Sequence, residues 1–232
     1  MVPPFADSAE LRRHMSARQN GRTLLAFSRG KDSLCAWLKL RENFDEIIPV
    51  YMYTVPGLEF IDESLAYYEK WFGTRIIRMP HPSLYRQLNN LVFQAPENCA
   101  VIERLSLPNF DYADVFRCVR EDYNLPLIYH ATGVRAKDSP MRWIAMQTHG
   151  PIADGEEKFH AIYDYNKAEL LDTIRAANIR LPVDYRWFGR TLDGLDYRFL
   201  APLKAHAPRD YARVLEFFPL AELELFRMEH RD

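Results

Sequence analysis

The sequence predicts an α/β protein with a doubly wound, mostly parallel sheet, and three observations carry that expectation. Short apolar runs of strand length stop abruptly at loop residues, stretches with helical apolar spacing follow them, and the alternation recurs along the first half of the chain. Residues 22–27 (RTLLAF) form the first such run and end at Ser-Arg-Gly. The next stretch, 31–44, sets Leu34, Trp37, Leu38 and Phe44 at helical spacing. A second strand is expected over 46–54, a loop at Val-Pro-Gly, and a helix over 58–73 that closes at Gly73, a residue suited to a left-handed C-cap. A third strand, 74–79, is halted by Pro80.

Beyond residue 80 the pattern weakens. Residues 82–93 have helical character, 95–110 (APENCAVIERLSLPNF) read as loop, and 111–123 as a helix. Strand character returns over 125–133 and ends at Gly133, with a helix expected around 140–148. The remainder reads as irregular apart from a helix at 167–178 and helical runs near 208–229. No linker or repeat divides the chain, so the expectation is one domain over 1–232, with a core of about 20–165 and a helical C-terminal extension of about 166–232.

Composition excludes several classes. The 30 Lys and Arg residues against 32 Asp and Glu give a net charge of −2, too little to make a polyanion-binding surface without local patches. Three scattered cysteines (Cys35, Cys99, Cys118) form neither a disulfide framework nor a C-x-x-C pair, which points to a reducing compartment; Cys35 reads as core, and Cys99 and Cys118 as buried small hydrophobes. The opening residues have no apolar signal region, and no run approaches the ~18 apolar residues of a spanning helix, so a soluble cytoplasmic protein without membrane contact is expected. The seven histidines show no zinc spacing.

The most informative segment is Ser28-Arg29-Gly30-Lys31-Asp32-Ser33, between a buried strand and a helix. Backbone amides and a helix N-terminus there favour an anion; Lys31 adds a full charge, and the Ser28 and Ser33 hydroxyls can donate to phosphate oxygens. It is not a Walker A loop, because Leu25 and Asp32 stand where Gly and Ser or Thr are needed. An ordinary helix cap by Ser28, Asp32 or Ser33 is the plainer alternative. Arg29 is strained if its position requires positive φ; otherwise it either adds a guanidinium beside the phosphates or faces solvent. A second segment, Gly133-Val134-Arg135-Ala136-Lys137-Asp138-Ser139-Pro140-Met141-Arg142, follows another strand. Gly133 lets backbone approach a nucleotide, Arg135 and Arg142 can neutralise phosphate or sulfate, and Ser139 with Pro140 can start a helix.

The first loop resembles the S-G-G-K-D-S PP-loop of the ATP-pyrophosphatase superfamily. The second is similar to the G-x-R-x-x-[ED]-S-x-x-R element of its phosphoadenylyl-sulfate (PAPS) reductase branch. Tyr53-Thr54-Val55-Pro56-Gly57 takes the place of that branch's D-T-G loop without its aspartate, and residues 160–182 resemble its P-[IL]-x-[DE]-W segment. The Phe188 to Leu200 run and the S-R-G-K-D-S spelling resemble PAPS-reductase-domain proteins carried by phages and prophages. The resemblance implies an adenine nucleotide alpha hydrolase-like fold, and an enzyme that binds ATP and Mg²⁺ and adenylylates an oxygen-bearing substrate with release of pyrophosphate, as a transferase in sulfur or nucleic-acid modification chemistry. It implies charge stabilisation by Lys31, Arg135 and Arg142, and nucleotide binding by Ser28, Arg29, Gly30, Lys31, Asp32, Ser33, Thr54, Gly57, Gly133 and Ser139, with Asp32 near the metal.

Two other readings stay open. Sulfonucleotide (PAPS or APS) binding or reduction is one, although the reductases' tail cysteine has no counterpart after Cys118. A non-catalytic nucleotide-binding interaction protein of a phage or prophage, beside a DNA-binding protein partner in the bacterial or infected host cytosol, is the other. Finally, residues 180–213 interleave Arg180, Arg186, Arg190, Arg198, Lys204, Arg209 and Arg213 with six aromatic residues, a composition suited either to nucleic-acid contact or to packing of the extension.

Overall fold

The computed structural model describes residues 5–126 and 128–230. Leu127, inside the expected 125–133 strand, lies outside the described residues, as do the first four and last two. The elements run α1 (Ser8–Arg18), β1 (Arg22–Ala26), α2 (Lys31–Leu40), β2 (Glu46–Tyr53), α3 (Glu59–Phe72), β3 (Ile77–Pro80), α4 (Pro82–Asn89), α5 (Pro96–Leu105) and α6 (Tyr112–Asp122). They continue with β4 (His130–Thr132), α7 (Pro140–His149), β5 (Ile152–Ala153), β6 (Lys158–His160), α8 (Lys167–Ala176), α9 (Asp184–Trp187), α10 (Tyr197–His206), α11 (Pro208–Phe217) and α12 (Leu223–Glu229).

The sheet has the order β3-β2-β1-β4-β6-β5. β1 pairs in parallel with β2 and β4, β4 in parallel with β6, and β5 antiparallel with β6. This is the mostly parallel α/β sheet that the alternating pattern predicts. Thr23, Leu24 and Leu25 of β1 are all buried, as befits a strand in the middle of a parallel sheet. α2 buries Leu34, Cys35, Ala36, Trp37 and Leu40, with Trp37 edge-on to Phe27 at 5.0 Å, and it packs against α8, which buries Leu170 and Ile174. Burial pushes the Cys35 thiol up to about 11, as expected of a core cysteine.

Several boundaries differ from the sequence expectation. α2 ends at Leu40, so Phe44 reaches the core from the loop beyond it. Residues 96–105, expected as loop, are the helix α5: Pro96 sits in its first turn, where the missing N–H costs nothing. α5 buries no residue: Cys99 and Ile102 on one face are only half-buried, and Val101 and Leu105 are exposed. β5 and β6 fall in a stretch that reads as irregular, because two- and three-residue strands are too short for any periodicity. Cys99 is half-buried and Cys118 exposed, against the expectation that both are buried. α6 instead buries Val115, Phe116 and Val119, leaving Cys118 on its outer side.

The chain divides into two compact units. One comprises the chain up to Tyr51, Thr74–Arg78 and Phe116–Leu181; the other Met52–Gly73, Met79–Val115 and the chain from Pro182. The first thus holds β1, β4, β6 and both glycine-bearing loops. The second is largely helical. Within it Arg190 pairs with Asp193, Arg198 with Asp196 (2.6 Å), Lys204 with Glu222 (3.2 Å) and Arg213 with Glu216. Trp187 stacks on His206, and Phe188 meets Phe199 edge-on. The cations and aromatic rings of the 180–213 segment are therefore largely spent on neighbours inside the unit.

Candidate nucleotide site at the carboxyl ends of β1 and β4

The strand order reverses between β1 and β4: β2 and β3 lie on one side of β1, and β4 and β6 on the other. In open α/β sheets the crevice outside the carboxyl ends of the strands flanking such a reversal is where ligands bind. Residues 28–33 leave β1 at that end and residues 133–142 leave β4 there.

The first loop is braced by its own serines. Ser33 Oγ donates to the Gly30 carbonyl (3.0 Å) and accepts the Ser28 amide (3.2 Å), and the two serine hydroxyls lie 3.2 Å apart. Ser33 is buried and its one proton is spent on the loop, so it shapes the loop rather than donating to phosphate, as the sequence had suggested. Ser28 is exposed. Gly30 is the N-cap of α2 and supplies no capping side chain, so the first turn of that helix opens without a side-chain cap of its own. Arg29 adopts φ +63°, in the left-handed region, and is only 1% exposed, with its guanidinium carbon 5.6 Å from the centre of the Tyr51 ring. The solvent-facing reading of Arg29 is overturned.

Gly133 has a different role from the one its position suggests. An added Cβ would come within 2.6 Å of the Asp32 carbonyl carbon and 2.9 Å of the Ser33 amide nitrogen. Its missing side chain lets the end of β4 lie against the first turn of α2, and the space is filled by protein backbone rather than reserved for a nucleotide.

The charged side chains form one alternating chain. Lys31 Nζ meets Asp32 Oδ2 at 2.7 Å, and Arg135 Nε donates to Asp32 Oδ1 at 2.8 Å. Arg135 Nη2 donates to Asp138 Oδ1 at 2.5 Å, and Arg142 Nη1 to Asp138 Oδ2 at 3.0 Å. Arg135 also donates from Nη1 to the Tyr165 carbonyl at 3.4 Å, and its side chain is 6% exposed. Two carboxylates and a carbonyl take three of its five donors and its side chain is buried, so it builds the site and is poorly placed to clamp a ligand. The side chains at the two ends, Lys31 and Arg142, are 27% and 51% exposed. Ser139 caps α7, accepting the Arg142 amide at 3.2 Å.

Asp32, expected near magnesium, has both oxygens committed to cations, and the described residues include no group of three or more His, Cys, Asp or Glu able to hold a metal. The carboxylate does not fit a resident Mg²⁺. A magnesium ion carried in on a polyphosphate would be held by phosphate oxygens and water.

At the same sheet end, Thr132 Oγ1 and His160 Nδ1 lie 2.7 Å apart on register-paired residues of β4 and β6. Burial, reinforced by Lys158, brings the His160 ring down to about 4. Sequence reading missed this pair because β6 is too short to see. Asp138 was visible as the acidic residue three after Arg135 and four before Arg142, but the motif assigned it no role.

Thr54 and Gly57 belong to the second unit. Gly57 turns at φ +74°, a conformation that favours glycine, and Arg213 Nε donates to the neighbouring Pro56 carbonyl at 3.1 Å.

No protein-family model matches the chain, and no curated protein matches it. Among solved structures, an NH3-dependent NAD synthetase from Campylobacter jejuni subsp. jejuni NCTC 11168, in complex with the nitrate ion, is similar over 97% of this chain and 95% of that one, with 12% identity and a TM-score of 0.47. A likeness that weak carries no chemistry across; the site rests on the sheet order and the two loops.

Proposed function

We propose that the chain is an ATP-binding enzyme of PP-loop type that adenylylates an oxygen-bearing substrate and releases pyrophosphate. One observation carries the reading: two anion-suited segments, 28–33 and 133–142, leave neighbouring parallel strands where the strand order reverses, with no side-chain cap from Gly30 on α2 between them. In the reaction a substrate oxygen attacks the α-phosphorus, the bond to the bridging oxygen breaks, and pyrophosphate leaves with the electron pair. The protein's part is to hold the leaving phosphates and offset their charge, through the loop amides, the first turn of α2, Lys31 and Arg142. Arg135 holds Asp32 and Asp138 in place.

Lys31 must exchange Asp32 for a phosphate oxygen when the ligand arrives. Lys31→Ala is expected to lower pyrophosphate release by about 100-fold or more, since it removes a full charge from a preorganised anion site. The measurement is product analysis with ATP, Mg²⁺ and candidate hydroxyl or carboxylate acceptors. Formation of ADP and phosphate would refute the chemistry. A strong calorimetric preference for a 3′-phosphorylated adenylyl sulfate over ATP would favour the sulfonucleotide reading instead.

A further inference from the structure

We infer that Asp138 is a positioning residue of this site, the anion that aims Arg142 at the ligand. The inference rests on the anion-binding reading of the 28–33 and 133–142 segments and assigns a role that the motif itself does not.

Asp138 gathers three donors on one carboxylate. Oδ1 takes Arg135 Nη2 at 2.5 Å; Oδ2 takes Arg142 Nη1 at 3.0 Å and the Arg135 amide at 3.3 Å. Its side chain is 21% exposed, and the partner that fixes it, Arg135, is held on its other side by Asp32 and the Tyr165 carbonyl. Through the buried Arg135 the carboxylate is thus tied to the Asp32 side chain on α2's first turn and to the Tyr165 backbone carbonyl. Arg142, by contrast, is half-exposed on the first turn of α7, and Asp138 is its one ion-pair partner among the described residues. A long side chain in that setting samples many rotamers, and ordering one on binding opposes association. A pre-set contact to a fixed carboxylate removes much of that cost and points the remaining guanidinium donors in one direction.

An incoming polyanion competes with Asp138 for Arg142, so deleting the carboxylate has two opposed effects: it frees the guanidinium and it removes a repelling charge. The affinity of Asp138→Asn alone therefore decides nothing. A double-mutant cycle does, because a simple field effect is independent of Arg142 whereas positioning acts only through it.

The experiment is calorimetric titration of ATP, and separately of inorganic pyrophosphate, into the parent chain, Asp138→Asn, Arg142→Ala and the double variant. Arg142→Ala is expected to weaken binding about tenfold in the parent but less than about twofold once Asp138 is Asn. Equal losses in the two backgrounds overturn the inference while leaving the anion site standing. A parent chain that binds neither probe overturns the site reading and this inference with it. Should Asp138→Asn fail to fold, Asp138→Glu keeps the charge but moves it by one methylene. There the Arg142→Ala loss is expected to fall below about threefold, and a retained tenfold loss overturns positioning.

Discussion

Arg29 shows how a single residue's backbone can be separated from its side chain. A non-glycine residue at φ +63° carries a penalty of about 1 kcal/mol, and the buried guanidinium beside Tyr51 helps to hold it there. Arg29→Gly and Arg29→Ala remove the same buried side chain, but only alanine keeps the strain. The glycine variant is therefore expected to be the more stable by about 1 kcal/mol in denaturant melts. Equal stabilities would mean that the loop relaxes out of the left-handed region once the side chain is gone. At this scale the sequence displayed the ligand-suited residues, Lys31 and Arg142, but not the division of labour among them. Ser33, Gly133 and Arg135 carry the right chemistry for a ligand and spend it on the protein, which depends on partners that are distant in sequence.

Among the helices, the contrast lies between α2, which opens on Gly30, and α3, whose amides are closed. Asp210, from the first turn of α11, accepts the Glu59 amide at Oδ1 (2.6 Å) and the Phe60 amide at Oδ2 (3.1 Å), and it is only 3% exposed. Three residues on, Arg213 holds the Pro56 carbonyl. α11 therefore fixes the turn 56–60 from both sides, and the C-terminal extension serves that turn. Asp210→Ala, which strands one buried and one part-buried amide, is expected to cost about 2 kcal/mol, and Asp210→Asn, which keeps one good acceptor, about half as much. Chemical denaturation of the full chain followed by a probe in the second unit, such as Trp187, reads both; identical behaviour of the two variants would argue against capping. α2, α3 and α8 were legible because each has an apolar stripe and a definite end. α5 was not, since Pro96 at its start and Ser106-Leu107-Pro108 after it have loop composition, and neither were β5 and β6, which are too short to show a period.

At the level of the whole molecule, the folded state keeps two histidines neutral. His130 lies in β4 with its ring stacked on Phe116 at 3.8 Å and no hydrogen-bond partner at Nδ1. Burial, with Lys158 and Arg120 nearby, brings it down to about 3, and His160 lies near 4. The unfolded chain takes up protons near the ordinary value of 6.5, where the folded chain refuses them. Stability from these groups is therefore complete above pH 6.5 and is lost as pH falls toward 4 and then 3, by an amount on the order of a few kcal/mol for His130. Denaturation midpoints should fall steadily from pH 7 to pH 5. His130→Phe, which keeps a ring against Phe116 but cannot protonate, should flatten that slope; an unchanged slope would assign the acid sensitivity to other groups. Among the described residues no helix is long and apolar enough to cross a membrane.

By itself the sequence determined the α/β class, the order of strands and helices from β1 to β3, and the two loops that bear the ligand-suited residues; α1, ahead of β1, was not among them. Each of these is written locally, in the length of an apolar run, a helical period or a short motif. Only the tertiary structure decided that strand order reverses between β1 and β4, that Gly133 is small because Asp32 and Ser33 lie against it, and that Arg135 is bound between Asp32 and Asp138. Strand order and ion pairing join residues more than a hundred positions apart, and nothing in a local pattern records which distant group will share a charge or fill a space.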